Sequence, residues 1–138
     1  GTLNPSLTSA AQFAAGLSVD LGDLMAQEEP AVRRLAEAPT VEDSAGIRRI
    51  ALASPRHGTE LLRYELPPGT RTRDFAPHAR GTIETFHLVT GVLEVLGGTE
   101  PLHLDAGDTA VAAGDQPHAL VNPGEEPAIV LLLISRPA

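Results

Sequence analysis

The stretch Pro77-His-Ala-Arg-Gly-Thr-Ile-Glu-Thr-Phe-His-Leu-Val-Thr-Gly91 decides how the chain folds. From Thr82 to Val89 the residues suit a strand, and side chains in a strand alternate between faces. Glu84, Phe86 and Leu88 then share one face, and Thr85, His87 and Val89 share the other. If Phe86 and Leu88 enter a core, Glu84 enters with them. A buried carboxylate needs a partner, and His78, Arg80 and His118 are the candidates. His78 and Arg80 have the same parity and are expected to face the same way, with Gly81 interrupting the strand before it restarts.

Working outward, the pattern stays β from Gly46 onward. Candidate strands are Ile47 to Ala53, Glu60 to Leu66, Thr82 to Val89, Val92 to Leu96, Leu102 to Leu104, Thr109 to Ala112, His118 to Val121 and Ala128 to Ser135. Turn signals separate them, among them Pro67-Pro68-Gly69, Gly97-Gly98, Gly114-Asp115 and Asn122-Pro123-Gly124. About eight short strands with no helix between them predict a sandwich or small barrel. In such a barrel one set of alternating side chains fills the interior.

The bulk properties agree with one folded domain. The chain has 138 residues, 42% of them apolar but only 3% aromatic, so the core is built from Leu, Val, Ile and Ala. There is no cysteine, which removes disulfides, thiolate metal sites and thiol nucleophiles. No apolar run approaches the roughly 18 residues of a membrane span, and the start lacks the charged region of a signal peptide. A cytoplasmic protein without membrane contact is expected. All ten basic residues are arginine and alanine is abundant, which fits a GC-rich bacterial genome. The formal net charge of −8 repels a phosphate backbone, so this piece is not expected to hold nucleic acid by itself.

Residues 1 to 27 read as helical. Asn4-Pro5-Ser6 is a cap signal, and Leu7, Ala10, Ala11, Ala14 and Leu17 follow at helical spacing. Asn4-Pro-Ser-Leu-Thr and Phe13-Ala-Ala-Gly-Leu-Ser-Val-Asp-Leu-Gly-Asp-Leu24 resemble the tail of the helix-turn-helix domain in XRE-type bacterial regulators. In that family the recognition helix lies just upstream of the Asn-Pro. The expectation is a remnant of a DNA-binding domain over 1–27, a linker over 28–45 and a β domain over 46–138.

The β domain resembles the cupins. Their first motif runs His-x-His, three or four residues, Glu, six residues, Gly. Here His78-Ala-Arg80, three residues, Glu84, six residues, Gly91 fits, except that Arg80 replaces the second His. Their second motif runs Gly, five residues, Pro-x-Gly, two residues, His, three residues, Asn. Gly107, Ala113-Gly114-Asp115, His118 and Asn122 fit in spacing, with Ala113 and Asp115 departing from its Pro and Gly. The resemblance implies a cupin-type double-stranded β-helix, a jelly-roll barrel preceded here by short N-terminal helices.

The resemblance also implies one divalent metal ion (Zn, Fe, Ni or Mn) held by His78, Glu84 and His118. Arg80 opposes it, since a guanidinium keeps its charge and an Arg80–Glu84 pair competes for the carboxylate. A pocket without metal is therefore the equal alternative, with Arg80, Phe86, His78 and His118 binding a small ligand, Arg80 as a fork for a carboxylate or phosphate. His87 is expected to face outward. His57 and His103 fall in or near loops and carry no role. Arg48-Arg49 reads as a solvated pair, and Arg71 and Arg73 as surface charge near the barrel mouth.

Neither a Walker nor a Rossmann phosphate loop appears, nor a Gly-x-Ser-x-Gly elbow. Two functions follow. The first is the small-molecule sensing domain of an XRE-cupin transcriptional regulator: a homodimer that meets operator DNA only through the full-length N-terminal domain. The second is a small metal-dependent cupin enzyme, a dioxygenase or isomerase.

Overall fold

A computed structural model describes residues 30–137. Nine strands follow a single 3-10 turn at Leu35–Glu37: β1 (Thr40–Glu42), β2 (Arg48–Arg56), β3 (Thr59–Leu66), β4 (Ile83–Thr90), β5 (Val92–Leu96), β6 (Leu102–Asp105), β7 (Thr109–Ala113), β8 (Ala119–Val121) and β9 (Ala128–Ser135). All eight strands expected from sequence are present, with ends shifted by a few residues. The helices expected over residues 1–27 lie outside the described residues. Within the segment read as a linker, Thr40–Glu42 forms an edge strand against Arg48–Ile50. Among the described residues no helix is long and apolar enough to cross a membrane.

The strands make a six-stranded sheet in the order β1-β2-β3-β9-β4-β7 and a three-stranded sheet in the order β6-β5-β8, all antiparallel. The extended run after β3 joins the smaller sheet through bridges Arg71–Val121 and Phe75–His118. β9 lies in the middle of the large sheet, which is why its sequence is almost wholly apolar. The chain passes from the large sheet to the small one at Gly91, whose φ is 84°. A Cβ there would stand 2.6 Å from the Pro127 carbonyl oxygen, so this corner admits only glycine.

The core forms from the inward side chains of both sheets. Leu62, Tyr64 and Leu66 of β3, Phe86 and Leu88 of β4, and Ala128, Val130, Leu132 and Ile134 of β9 meet Leu93, Val95, Leu104 and Leu120 from the smaller sheet. The register stacks these into layers. Leu62, Leu132, Phe86 and Ala110 form one row across the large sheet. The next row toward the end of the barrel is Glu60, Ile134, Glu84 and Ala112. Across the large sheet this row brings in the charged side chains, one layer above an apolar floor.

Asn122 of the second motif is structural. It is fully buried, and its side-chain amide donates to the carbonyls of Leu66 (3.0 Å) and Glu126 (2.8 Å) while its oxygen accepts from Gly124 N–H (3.0 Å). It ties the end of β3 to the turn before β9. Asn122→Ala would remove the side-chain partner of the buried Leu66 carbonyl and of the part-buried Glu126 carbonyl and Gly124 N–H, and is expected to cost about 2–4 kcal/mol. Urea denaturation measures this, and a loss well under 1 kcal/mol would contradict the role.

Candidate functional site

The site grows from the start of β4. Before it, the chain turns through Ala79 to Thr82, closed by Thr82 N–H on the Ala79 carbonyl (3.1 Å) and by Gly81 at φ 89°. Gly114 holds this turn: its N–H donates to Thr82 O (2.7 Å) and its carbonyl accepts from His78 N–H (2.8 Å). A Cβ at Gly114 would meet Thr82 Cγ2 at 2.9 Å and Glu84 Oε1 at 3.1 Å. The second motif therefore supplies a glycine that lets its backbone close over Glu84.

Glu84 points inward, as alternation requires, and is 1% exposed. Its Oε1 lies 3.6 Å from His78 Nε2, and its Oε2 lies 3.7 Å from His118 Nδ1. Both separations exceed hydrogen-bond range. Glu84 Oε2, His118 Nδ1 and Thr82 Oγ1 are buried without a hydrogen-bond partner. Burial raises the Glu84 pKa to about 7. Burial likewise lowers that of His118. The His78 pKa falls through burial first and the charge of Arg136 second. All three shifts favour neutral forms, the usual response of ionisable groups removed from water.

Phe86 is the floor. It is fully buried below the polar layer, and its ring meets the His118 ring edge-on at 6.3 Å and 65°. His118 is pressed from the other side by the β5–β6 turn. A Cβ at Gly97 would collide with the Pro117 carbonyl and come within 2.6 Å of His118 Cδ2.

Arg80 does not join the site. It is exposed, and the groups beside Glu84 are the two histidines, not Arg80. The parity argument fails because residues 78–82 turn instead of running as a strand, so His78 and Arg80 diverge. The cation that does reach the cluster is Arg136. Its Nη2 lies 3.1 Å from Glu60 Oε2 and 3.5 Å from His78 Nδ1. The signal for both partners was the same alternation: Arg136 continues the inward series of β9, and Glu60 begins that of β3. Tyr64 also belongs to this neighbourhood, with a pKa raised mainly by burial and partly offset by Arg49.

The other histidines are elsewhere. His87 faces outward and pairs with Thr109 Oγ1 at 2.9 Å. His103 lies on the short strand β6 beside Asp105 (3.1 Å), and His57 sits in the β2–β3 turn. Arg48 is bound by Glu65 at 3.1 Å, and Arg71 by Asp74 at 3.0 Å.

The three expected metal ligands are adjacent but do not fit a metal as arranged. Each oxygen of Glu84 addresses a different ring, and among the described residues no group of three His, Cys, Asp or Glu side chains is placed to hold an ion. What the arrangement offers is a buried polar layer with unpaired acceptors and donors.

A family profile described as Cupin domain matches residues 62–134. The chain belongs to this family. Among solved structures, the cupin domain of an XRE family transcriptional regulator from Enterobacter cloacae is 30% identical, covering 59% of this chain and 84% of that one, with a TM-score of 0.55. An HTH_3 family transcriptional regulator from Vibrio cholerae is 20% identical and covers 99% of this chain and 75% of that one, with a TM-score of 0.61. A cupin sugar phosphate isomerase from Silicibacter pomeroyi is 20% identical and covers 78% of this chain and 76% of that one, with a TM-score of 0.63. The last two likenesses are of fold. No curated protein matches the chain.

The Glu84 shift makes stability depend on pH with a definite sign. Below its ordinary value of 4.5 the carboxyl is neutral in both folded and unfolded chains, and stability is full. Above 4.5 the unfolded chain ionises freely while the folded one resists, so stability falls until about pH 7 and then levels. Glu84→Gln should remove this loss, so the variant gains on the native protein by up to about 3 kcal/mol between the two limits. Paired denaturant titrations across that range check it. A constant difference would mean that Glu84 ionises normally.

Proposed function

We propose that this cupin is the small-molecule sensing domain of a bacterial transcriptional regulator. The observation that carries the reading is the polar layer itself. Glu84 Oε2, His118 Nδ1 and Thr82 Oγ1 are buried above the Phe86 floor without partners, and unpaired buried groups cost free energy that a bound molecule could recover. A small effector carrying both donor and acceptor atoms suits that layer, with His78 and His118 on either side of Glu84. Support for the regulator context comes from the 30% identity to the cupin domain of an XRE regulator and from the helix-turn-helix resemblance of residues 4–24.

The mechanism is a population shift. An effector that binds one arrangement of a homodimer better than another moves the equilibrium by the difference in its affinities. That movement changes the separation of the DNA-binding heads, and half-site spacing on an operator is sensitive to it. The net charge of −8 leaves DNA contact to those heads. Cytoplasmic placement goes with this role. A dioxygenase or isomerase is the other reading. The likeness to the sugar phosphate isomerase is of fold alone, and the donors around Glu84 are not set for a metal.

A thermal-shift screen of small carboxylates, sugars and amino acids tests the proposal. A true effector at about a hundred times its Kd adds about 2.7 kcal/mol and raises Tm by several degrees. His118→Ala should abolish the rise, and the bound compound should be recovered unchanged. Chemical conversion of the compound would move the protein to the enzyme class, and the absence of any ligand across chemically diverse sets would sink the sensor reading.

A further inference from the structure

Arg136 enters the cluster from outside both sequence motifs. Its backbone N–H is fixed to Gly58 O at 2.7 Å, and its guanidinium is held by Glu60 at 3.1 Å. From there Nη2 reaches His78 Nδ1 at 3.5 Å. A guanidinium has donors and no acceptor and does not give up its proton, so at this contact the nitrogen of His78 must accept. A neutral imidazole carries one N–H, and with Nδ1 accepting, that hydrogen sits on Nε2. Nε2 is the atom turned toward Glu84 Oε1, 3.6 Å away.

We propose that Arg136 is the specificity-determining residue of the pocket: it holds His78 as the Nε2–H tautomer and converts a metal-ligand position into a hydrogen-bond donor. A cation needs the Nε2 lone pair. To provide it, the hydrogen would have to move to Nδ1 and face the guanidinium N–H, donor against donor. The pocket therefore selects a ligand bearing a hydrogen-bond acceptor and rejects a divalent ion. This goes beyond the sensor reading and holds whether the acceptor belongs to an effector or to a substrate.

The test uses the 15N-labelled chain, with long-range proton–nitrogen spectra of the imidazoles at neutral pH and calorimetric titration with Zn2+, Ni2+ and Co2+. The native protein is expected to show His78 as Nε2–H and to bind none of the three ions stoichiometrically. Arg136→Met, with its fold checked by the amide spectrum, is expected to move His78 toward Nδ1–H. It should also gain at least about tenfold in affinity for Zn2+ or Ni2+, the size typical of changes at residues that orient a ligand. Adding His78→Ala should cancel the gain. Should Arg136→Met fail to fold, Glu60→Gln, which frees the guanidinium, should shift the tautomer in the same direction by a smaller amount. The proposal is overturned by an Nδ1–H tautomer in the native protein, by stoichiometric metal that His78→Ala removes, or by variants whose tautomer and metal affinity match the native values.

Discussion

A carboxylate buried between two imidazoles, with no hydrogen bond to either, is the constraint around which this barrel is arranged. Glu84 is 1% exposed and one layer above Phe86. Such a group is tolerated only if it stays neutral or finds a guest, and its raised pKa shows the cost of ionising it there. The surrounding backbone is adapted to it. Gly114 lacks the side chain that would strike Glu84, and Gly97 lacks the one that would strike His118. Both glycines let main chain approach where any other residue would force the imidazole or the carboxylate to move.

The same layer shows which positive charge actually faces the histidines. Loss of one histidine to Arg80 is visible in the motif, but Arg80 turns away to the surface. The positive charge that faces His78 comes instead from Arg136, at the end of the central strand, and it is fixed by Glu60 two strands from Glu84. The chemistry of the layer is thus set by Glu60 of β3 and Glu84 of β4 in one register row, by Arg136 just past β9, and by the loops that carry His78 and His118. The result is a polar layer of unpaired donors and acceptors over an apolar floor.

Sequence alone determined the β architecture, the strand positions and the inward path of Glu84, Phe86 and Leu88. Alternation is a local property: once Phe86 and Leu88 are known to enter the core, two-residue periodicity carries Glu84 with them. Gly91 and Asn122 were marked as turn positions and by the cupin resemblance, while their roles as a sheet-to-sheet corner and as a side chain that satisfies turn carbonyls came from the structure. Tertiary structure decided the rest. The parity of His78 and Arg80 meant nothing once residues 78–82 turned, since alternation holds only where the chain is extended. Arg136 lies 58 residues from His78, and their meeting depends on the register of β9 against β4, which no local pattern encodes. Whether a histidine nitrogen presents a lone pair or a hydrogen is settled by what stands behind it, and that neighbour arrives only when the barrel closes.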